Sequence, residues 1–217
     1  MMHRYVHLGD MPATLPVFPL TGVLLLPRGL LPLNIFEPRY LAMIDAALAD
    51  SRLIGMIQPT VHEEKNLRPP LSHVGCAGRI TSFQETDDRR YVIALTGICR
   101  FAVGEELSVE TPYRQIRADY APFAGDLVEN ASAQDFPRDR LAVALRAYLT
   151  NRDLKADWES VMSAPAESLV NALSMTCPFE PAEKQALLEA KTLPERADTL
   201  VALLEMARLP DSDRRLN

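Results

Sequence analysis

The stretch from Leu15 to Phe36 limits the possible folds of this 217-residue chain more than any other part of it. It is strongly apolar, but Arg28 lies near its middle and it is interrupted by Pro16, Pro19, Pro27 and Pro32. A membrane-spanning helix needs about 20 uninterrupted apolar residues, and proline breaks a helix interior. The stretch therefore predicts short buried strands separated by turns, at Pro16–Leu20, Val23–Leu26 and Leu30–Phe36.

The rest of the first half is predicted to continue as strands around one helix. The helix runs from Glu37-Pro38 to Asp50-Ser51, because proline suits a first helical turn and apolar residues then recur at three- and four-residue steps. Thr60–His73 has no periodicity and is predicted to be a long loop, whereas Thr86–Arg90 is predicted to be a hairpin turn. The further strands are predicted at Leu53–Gln58, Gly75–Glu85, Tyr91–Val103 and Tyr113–Tyr120.

Composition changes near Asp126, after which no convincing strand follows. Four helices are predicted there: one capped by Asp135, one over Ser163–Met175, one opened by Glu180-Pro181, and one after Thr192, where Thr192 and Glu195 match a capping box. We therefore predict an α+β protein, with a β-rich subdomain over residues 1–125 and a helical subdomain over residues 126–217.

Charge and cysteine content exclude several classes of protein. The formal net charge is −6 and the basic residues are scattered, whereas nucleic-acid binding needs clustered Lys and Arg. The amino terminus lacks the apolar core of a signal peptide, so we expect a soluble cytoplasmic protein without nucleic-acid or membrane partners. Cys76, Cys99 and Cys177 are far apart and odd in number, which predicts buried free thiols.

The motifs that usually carry catalysis are missing from the sequence. It has neither a phosphate-binding P-loop nor a G-x-S-x-G nucleophile elbow. The only local cluster of metal-ligand types is His62, Glu63-Glu64, His73 and Cys76, which we interpret as a solvated loop followed by a strand. Asp87-Asp88 and Glu105-Glu106 are read as solvated faces, since catalytic carboxylate pairs need a pocket that separates their pKa values. We predict no catalytic residue, no metal and no cofactor.

A series of short motifs runs through most of the chain, from about Leu15 to Leu209. They are Phe18-Pro19-Leu20, Leu26-Pro27-Arg28-Gly29, Pro32-Leu33, Phe36-Glu37-Pro38-Arg39-Tyr40, Ile54-Gly55, Val74-Gly75-Cys76, Leu95-Thr96-Gly97 and Arg100-Phe101. In this order and spacing they resemble the amino-terminal domain of Lon-type proteases.

The resemblance implies a barrel-like, β-rich subdomain with one helix, packed on a helical bundle. In Lon this domain helps to recognise unfolded or tagged protein substrates, and it contains no catalytic residue. The ATPase and Ser-Lys peptidase domains of Lon are expected to be absent from this chain. The resemblance thus implies a stand-alone, non-catalytic module that binds unfolded or tagged protein segments.

The segment Phe36 to Tyr40 also has a structural interpretation that needs no ligand. We expect Pro38 to start the helix, with Glu37 at its positive end. Arg39 is expected to pair with a carboxylate, and Tyr40 to pack inward.

Six apolar residues are the candidates for peptide binding, although all of them could instead be core residues. They are Leu67, Pro69, Pro70 and Leu71 in the predicted loop, together with Phe83 and Phe123. One alternative function is a small-molecule binder or enzyme that uses the groove between the two halves. Another is a structural partner in a larger assembly, acting through homodimerisation.

Overall fold

The computed structural model describes residues 5–60, 68–128 and 137–207. The chain divides into two compact units, residues 1–129 and 130–217. The described part of the first unit contains strands, one α-helix and two short 3₁₀ helices, and that of the second contains α-helices. The predicted α+β class is therefore confirmed.

The strands and the helix of the first unit follow the order expected from proline and apolar spacing. The strands are β1 (Thr14–Pro19), β2 (Leu30–Ile35), β3 (Leu53–Pro59), β4 (Leu71–Glu85), β5 (Tyr91–Glu106) and β6 (Arg114–Asp119). The helix α1 spans Pro38–Ala49, between β2 and β3, and the 3₁₀ helices span Leu8–Asp10 and Ala121–Leu127.

These strands form a single sheet in the order β2-β5-β4-β3-β1-β6, which closes because β6 also pairs with β5. β1 and β3 are parallel, and the other pairs are antiparallel. The first half of β5 pairs with β2 and its second half pairs with β6. The barrel wall therefore consists of β5, β4, β3, β1 and β6, and β2 is attached outside it.

The barrel interior is filled around Phe101, which is fully buried. Gly75 lies directly beneath the ring: a Cβ atom at this position would overlap Phe101 and would stand 2.7 Å from the carbonyl oxygen of Met56. The ring can occupy the narrow interior because position 75 carries no side chain. Aliphatic residues from the surrounding strands complete the core: Leu15, Val17, Leu53, Ile57 and Ile116.

Two details of the predicted strands are wrong. Residues 23–26 form no strand; instead Leu24, Leu25 and Leu26 are buried in a connecting segment. That segment is held against β5, since Arg28 N donates to the carbonyl of Gly97 at 2.7 Å. β4 begins at Leu71, so the last residues of the predicted loop Thr60–His73 belong to a strand.

The helices of the second unit bury the apolar stripes that their spacing predicts. They are α2 (Arg138–Asn151), α3 (Trp158–Ser163), α4 (Ala166–Thr176), α5 (Pro181–Glu189) and α6 (Leu193–Met206). Thr192 caps α6, because its side chain accepts a hydrogen bond from the amide of Glu195. The three- and four-residue spacing of apolar residues after Thr192 predicts a buried stripe that includes Leu200, Val201 and Leu204, and all three are completely buried in α6.

Three points of the helical prediction differ from the structure or fall outside it. The sequence did not predict α3, which is capped by Asp157. The apolar spacing within Ser163–Met175 predicts that Ala172 faces inward, but Ala172 is exposed, and Asn171 and Ser174 are buried in its place. Asp135, the predicted cap of α2, lies outside the described residues. Within the described ranges, no helix is long and apolar enough to cross a membrane.

Candidate functional site

β2 is the outermost strand of the sheet, and its backbone orientation follows from its register with β5. Pro32 stands opposite Ala94, and the Ala94 carbonyl accepts a hydrogen bond from the Thr81 hydroxyl of β4 at 3.2 Å. Since the backbone groups of Ala94 point toward β4, those of Pro32 point to the free edge of β2. Proline has no amide hydrogen, and edge strands are where a sheet tolerates it.

The outward side of β2 carries exposed apolar side chains. Side chains alternate along a strand, so Leu30, Pro32 and Asn34 face one side, and Phe36 continues this alternation just beyond the strand. Leu30 is 64% exposed, Phe36 is 63% exposed, and Val92, which pairs with Asn34, is 42% exposed. We call Leu30, Pro32, Phe36 and Val92 the β2 face.

Charged residues at one end of the β2 face are already paired with each other. Arg90 lies over the Phe36 ring, with its guanidinium carbon 5.9 Å from the ring centroid, and binds Asp88 at 2.8 Å. Arg39 binds Glu37, also at 2.8 Å. The face is therefore apolar with a polar margin, the usual arrangement of a protein-binding surface.

Helix α1 supports the opposite side of this part of the sheet. Ile35 of β2 and Ile93 of β5 are buried there, and Tyr91 donates a hydrogen bond to Asp45 of α1 at 3.0 Å. α1 is in turn anchored by Tyr40, whose ring lies 4.1 Å from that of Phe18 in β1. Leu31 and Leu33 of β2 are half-buried on this side, so the outward side of β2 is the more exposed of its two faces.

The structural interpretation of residues 36–40 is confirmed. Pro38 is the first residue of α1, Arg39 pairs with the Glu37 carboxylate, and Tyr40 is buried. Phe36 differs from the other residues of this motif, because no neighbour in the described part of the chain covers most of its ring, and the residue is 63% exposed.

The predicted peptide-binding residues near the start of β4 are fixed by contacts within the protein. The Pro69 carbonyl accepts from Arg114 at 2.7 Å, and the Pro70 carbonyl accepts from the Thr60 amide at 2.8 Å. Leu71 is half-buried and packs against the barrel core. Leu67 lies outside the described residues.

Phe83 and Phe123 do not join these residues in one surface. Phe83 is 41% exposed on β4, where its ring contacts Tyr91 at 4.9 Å. Its register partner is the buried Ile93, so it belongs to the side of the sheet that faces away from the β2 face. Phe123 packs partly buried on the barrel core, beneath the guanidinium of Arg100 at 4.6 Å. A role of the six candidates in peptide binding stays a prediction.

The sequence interpretation missed the β2 face because Leu30–Phe36 was read as a fully buried strand. One signal could have revealed it. A proline in the middle of a strand indicates an edge, and an edge strand over a core buries only one of its two sides. Leu30, Pro32 and Phe36 are all even-numbered positions, so their side chains point to the same side of the strand, the side that stays exposed.

All three cysteines are buried, and the thiols of Cys99 and Cys177 are weakly acidic. All three cysteines are free. Burial, together with the neighbouring Asp126 carboxylate, raises the pKa of the Cys99 thiol to about 12, against the opposing effect of Arg100 and Arg28. Burial likewise raises the pKa of Cys177 to about 11. An activated nucleophilic cysteine has the opposite property, a depressed pKa and partial exposure.

We therefore expect Cys99 and Cys177 to resist alkylation in the folded protein. At pH 8 a thiol with a pKa near 12 is about 0.01% thiolate, compared with roughly a quarter for a free cysteine. Iodoacetamide labelling followed by mass spectrometry should find both sites modified roughly a hundredfold more slowly than in the urea-unfolded chain. Equal rates in the two states would show that these thiols are accessible.

The structure offers no assembled metal site in the ranges 5–60, 68–128 and 137–207, where no three His, Cys, Asp or Glu side chains could hold an ion together. His73 is exposed and Cys76 buried, three residues apart on β4, so their side chains point to opposite faces. His62 and Glu63-Glu64 lie outside the described residues.

A family model and the sequences of curated proteins relate this chain to the same group of proteins. A family model described as the ATP-dependent protease La (LON) substrate-binding domain matches residues 14–206. Lon protease 2 of Myxococcus xanthus is 27% identical over 209 residues, and the Lon protease of Anaeromyxobacter dehalogenans is 28% identical over 210 residues. Each alignment covers 92% of this chain but 24% of the relative. The chain thus spans about a quarter of the length of these curated relatives.

Solved structures share the fold. The crystal structure of a Lon N-terminal domain protein from Xanthomonas campestris superposes with a TM-score of 0.62 at 20% identity, covering 87% of this chain and 97% of that one. The N-terminal domain of a Mycobacterium avium complex Lon protease superposes with a TM-score of 0.57 at 20% identity, covering 88% and 97%.

Proposed function

Because the chain belongs to the ATP-dependent protease La (LON) substrate-binding domain family, we propose that it binds extended, apolar segments of other polypeptides and is not itself an enzyme. Its partners in this proposal are unfolded or tagged protein segments, bound in the cytoplasm without a nucleic-acid or membrane partner. The activity of the whole Lon proteases is not part of the proposal.

The observation that carries this proposal is the exposed β2 face. Leu30, Phe36 and Val92 are large apolar side chains exposed to water on one side of the sheet, along β2 and its neighbour β5. Burying such surface against a ligand is favourable by about 25 cal/mol per Å². Exposed apolar surface rimmed by polar residues is typical of protein-binding sites.

The shape of the β2 face favours an extended ligand over a helix. Leu30, Pro32 and Phe36 follow the line of β2 at even-numbered spacing, which is also the spacing at which an extended chain presents its side chains to one side. Such a segment lies with alternate apolar residues against Leu30, Pro32 and Phe36, and its remaining side chains point to solvent. The β2 face would then select polypeptide segments that are apolar and extended, with little dependence on their particular sequence.

Binding is tested with reduced, carboxymethylated α-lactalbumin, a permanently unfolded protein, and with native α-lactalbumin for comparison. Fluorescence anisotropy should detect saturable binding of the unfolded form only. Combining Leu30→Thr, Phe36→Thr and Val92→Thr should weaken binding about tenfold or more, since about 1.4 kcal/mol of lost apolar contact has this effect. Threonine preserves the β propensity of the strand positions.

The control is Val143→Thr, which repeats the Val92→Thr change at a 70% exposed valine on α2. It should leave the affinity unchanged. Unaltered binding by the triple variant, with a circular dichroism spectrum like that of the parent protein, would contradict the assignment of the β2 face.

A further inference from the structure

The second unit contains a cleft that the proposed function does not use. It lies between the end of α2 and the start of α3, with a volume of about 310 Å³. Leu149 and Leu154 provide apolar lining, Trp158 provides an aromatic ring, and Arg146 and Lys155 provide two cationic groups. All of these residues lie in one stretch of the chain, 146–158.

The two cations are available to a ligand. Arg146 stacks on Trp158, with its guanidinium carbon 4.5 Å from the ring centroid, and within the described part of the chain its N–H donors have no hydrogen-bond acceptor. Among the described residues, neither Arg146 nor Lys155 forms an ion pair. The nearby carboxylate of Asp157 is occupied by α3, since it accepts hydrogen bonds from the amides of Glu159 and Ser160.

Two unpaired cations beside apolar surface favour a ligand of the complementary kind. A carboxylate would accept hydrogen bonds from Arg146 and Lys155, and an attached hydrocarbon body would cover Leu154 and Trp158. A cavity of this volume is at the lower end of small-molecule sites, so it accommodates one such body and not several consecutive side chains of a polypeptide.

We propose that the α2–α3 cleft binds a small organic carboxylate with an aliphatic or aromatic body. The site lies in a different unit from the β2 face and does not depend on it. Its specificity has two parts: Arg146 and Lys155 select a negatively charged ligand, and the Leu and Trp lining selects a ligand with an apolar body.

Trp158 allows this proposal to be tested directly, since it is the only tryptophan of the protein. Titration with octanoate should change the tryptophan fluorescence with saturation. Octylamine has the same chain length and the opposite charge, and acetate has the charge without the chain; neither should produce the change at equal concentration. An equal response to octylamine, or no response to octanoate, would overturn the proposal.

Charge-removing variants locate the site. By isothermal titration, Arg146→Gln and Lys155→Gln should each weaken octanoate binding about two- to fivefold, and their combination about tenfold. Arg117→Gln, at an exposed arginine of β6, should have no effect. Full affinity in the double variant would overturn the assignment, as would binding of an acetylated Leu- and Asp-containing decapeptide more than tenfold tighter than octanoate.

Discussion

Replacing Asp126 with alanine should lower the free energy of unfolding of the first unit by about 3–5 kcal/mol, because the buried Arg100 guanidinium would lose its counter-ion. The Asp126 carboxylate accepts from Nε of Arg100 at 2.8 Å and from Nη2 at 2.9 Å. It also accepts from the Arg100 backbone amide at 3.0 Å. Urea unfolding, followed by hydrogen-exchange mass spectrometry of β5 peptides, would measure the loss.

Two variants separate the buried pair from ordinary surface charge. Glu105→Ala removes a carboxylate from β5, the strand that carries Arg100, but the 3.8 Å pair of Glu105 with Arg117 is exposed, so little change is expected. Combining Arg100→Met with Asp126→Leu removes both charges and should be less destabilising than Asp126→Ala alone, because no buried charge remains unpaired. A double variant less stable than the single one would show that packing, not charge, dominates here.

Substituting Gly97 with alanine should destabilise the first unit by about 3 kcal/mol, because there is no space for a methyl group. A Cβ at this position would overlap the carbonyl oxygen of Leu26 and lie 2.7 Å from its carbonyl carbon. These are backbone atoms, which cannot rotate away as a side chain can. The Gly97 amide also donates to Gly29 at 2.9 Å, so relief of the overlap would break this bond.

Gly125→Ala is the matched control, since a Cβ there has no neighbour within 4 Å. It should leave stability nearly unchanged in the same urea titration. If Gly97→Ala were equally neutral, the segment around Leu26 would have to be far more adaptable than its burial and hydrogen bonds indicate.

Local sequence signals predicted the elements that depend on local interactions. Pro38 in the first turn of α1 and Thr192 at the cap of α6 were assigned correctly, because a cap or a fixed φ acts within a few residues. The turn between β4 and β5 was predicted for the same reason. The resemblance to the Lon domain extended these local assignments to a barrel-like unit.

Features that depend on distant partners could not be predicted in this way. Leu24 to Leu26 resemble a strand in composition. The connecting segment they belong to is instead held by hydrogen bonds of Arg28 and Gly29 to Gly97, about seventy positions further along the chain. Arg100 and Asp126 are ordinary surface residue types, and only the path of the chain brings them together. The exposure of Phe36 has a similar origin, since it depends on which sheet neighbours cover which side.

The candidate binding site illustrates the same limit. Leu71 and Phe123 were chosen for their apolar character, and the barrel core accounts for that character in both. Leu30 and Val92 have the same apolar character with no core to account for it. The apolar character of a residue therefore does not distinguish Leu71 and Phe123 from Leu30 and Val92. Their burial in the folded protein does.

The position of Pro32 has a consequence for how copies of this protein behave in solution. An apolar strand at an open sheet margin is the usual starting point for amyloid-like stacking between molecules. In β2 this edge contains Pro32, which has no backbone N–H to donate. A strand that paired with the edge would therefore leave one of its own carbonyls without a hydrogen-bond donor. The apolar side chains of the β2 face can thus stay exposed at high protein concentration, because Pro32 disfavours the strand pairing by which fibrils grow.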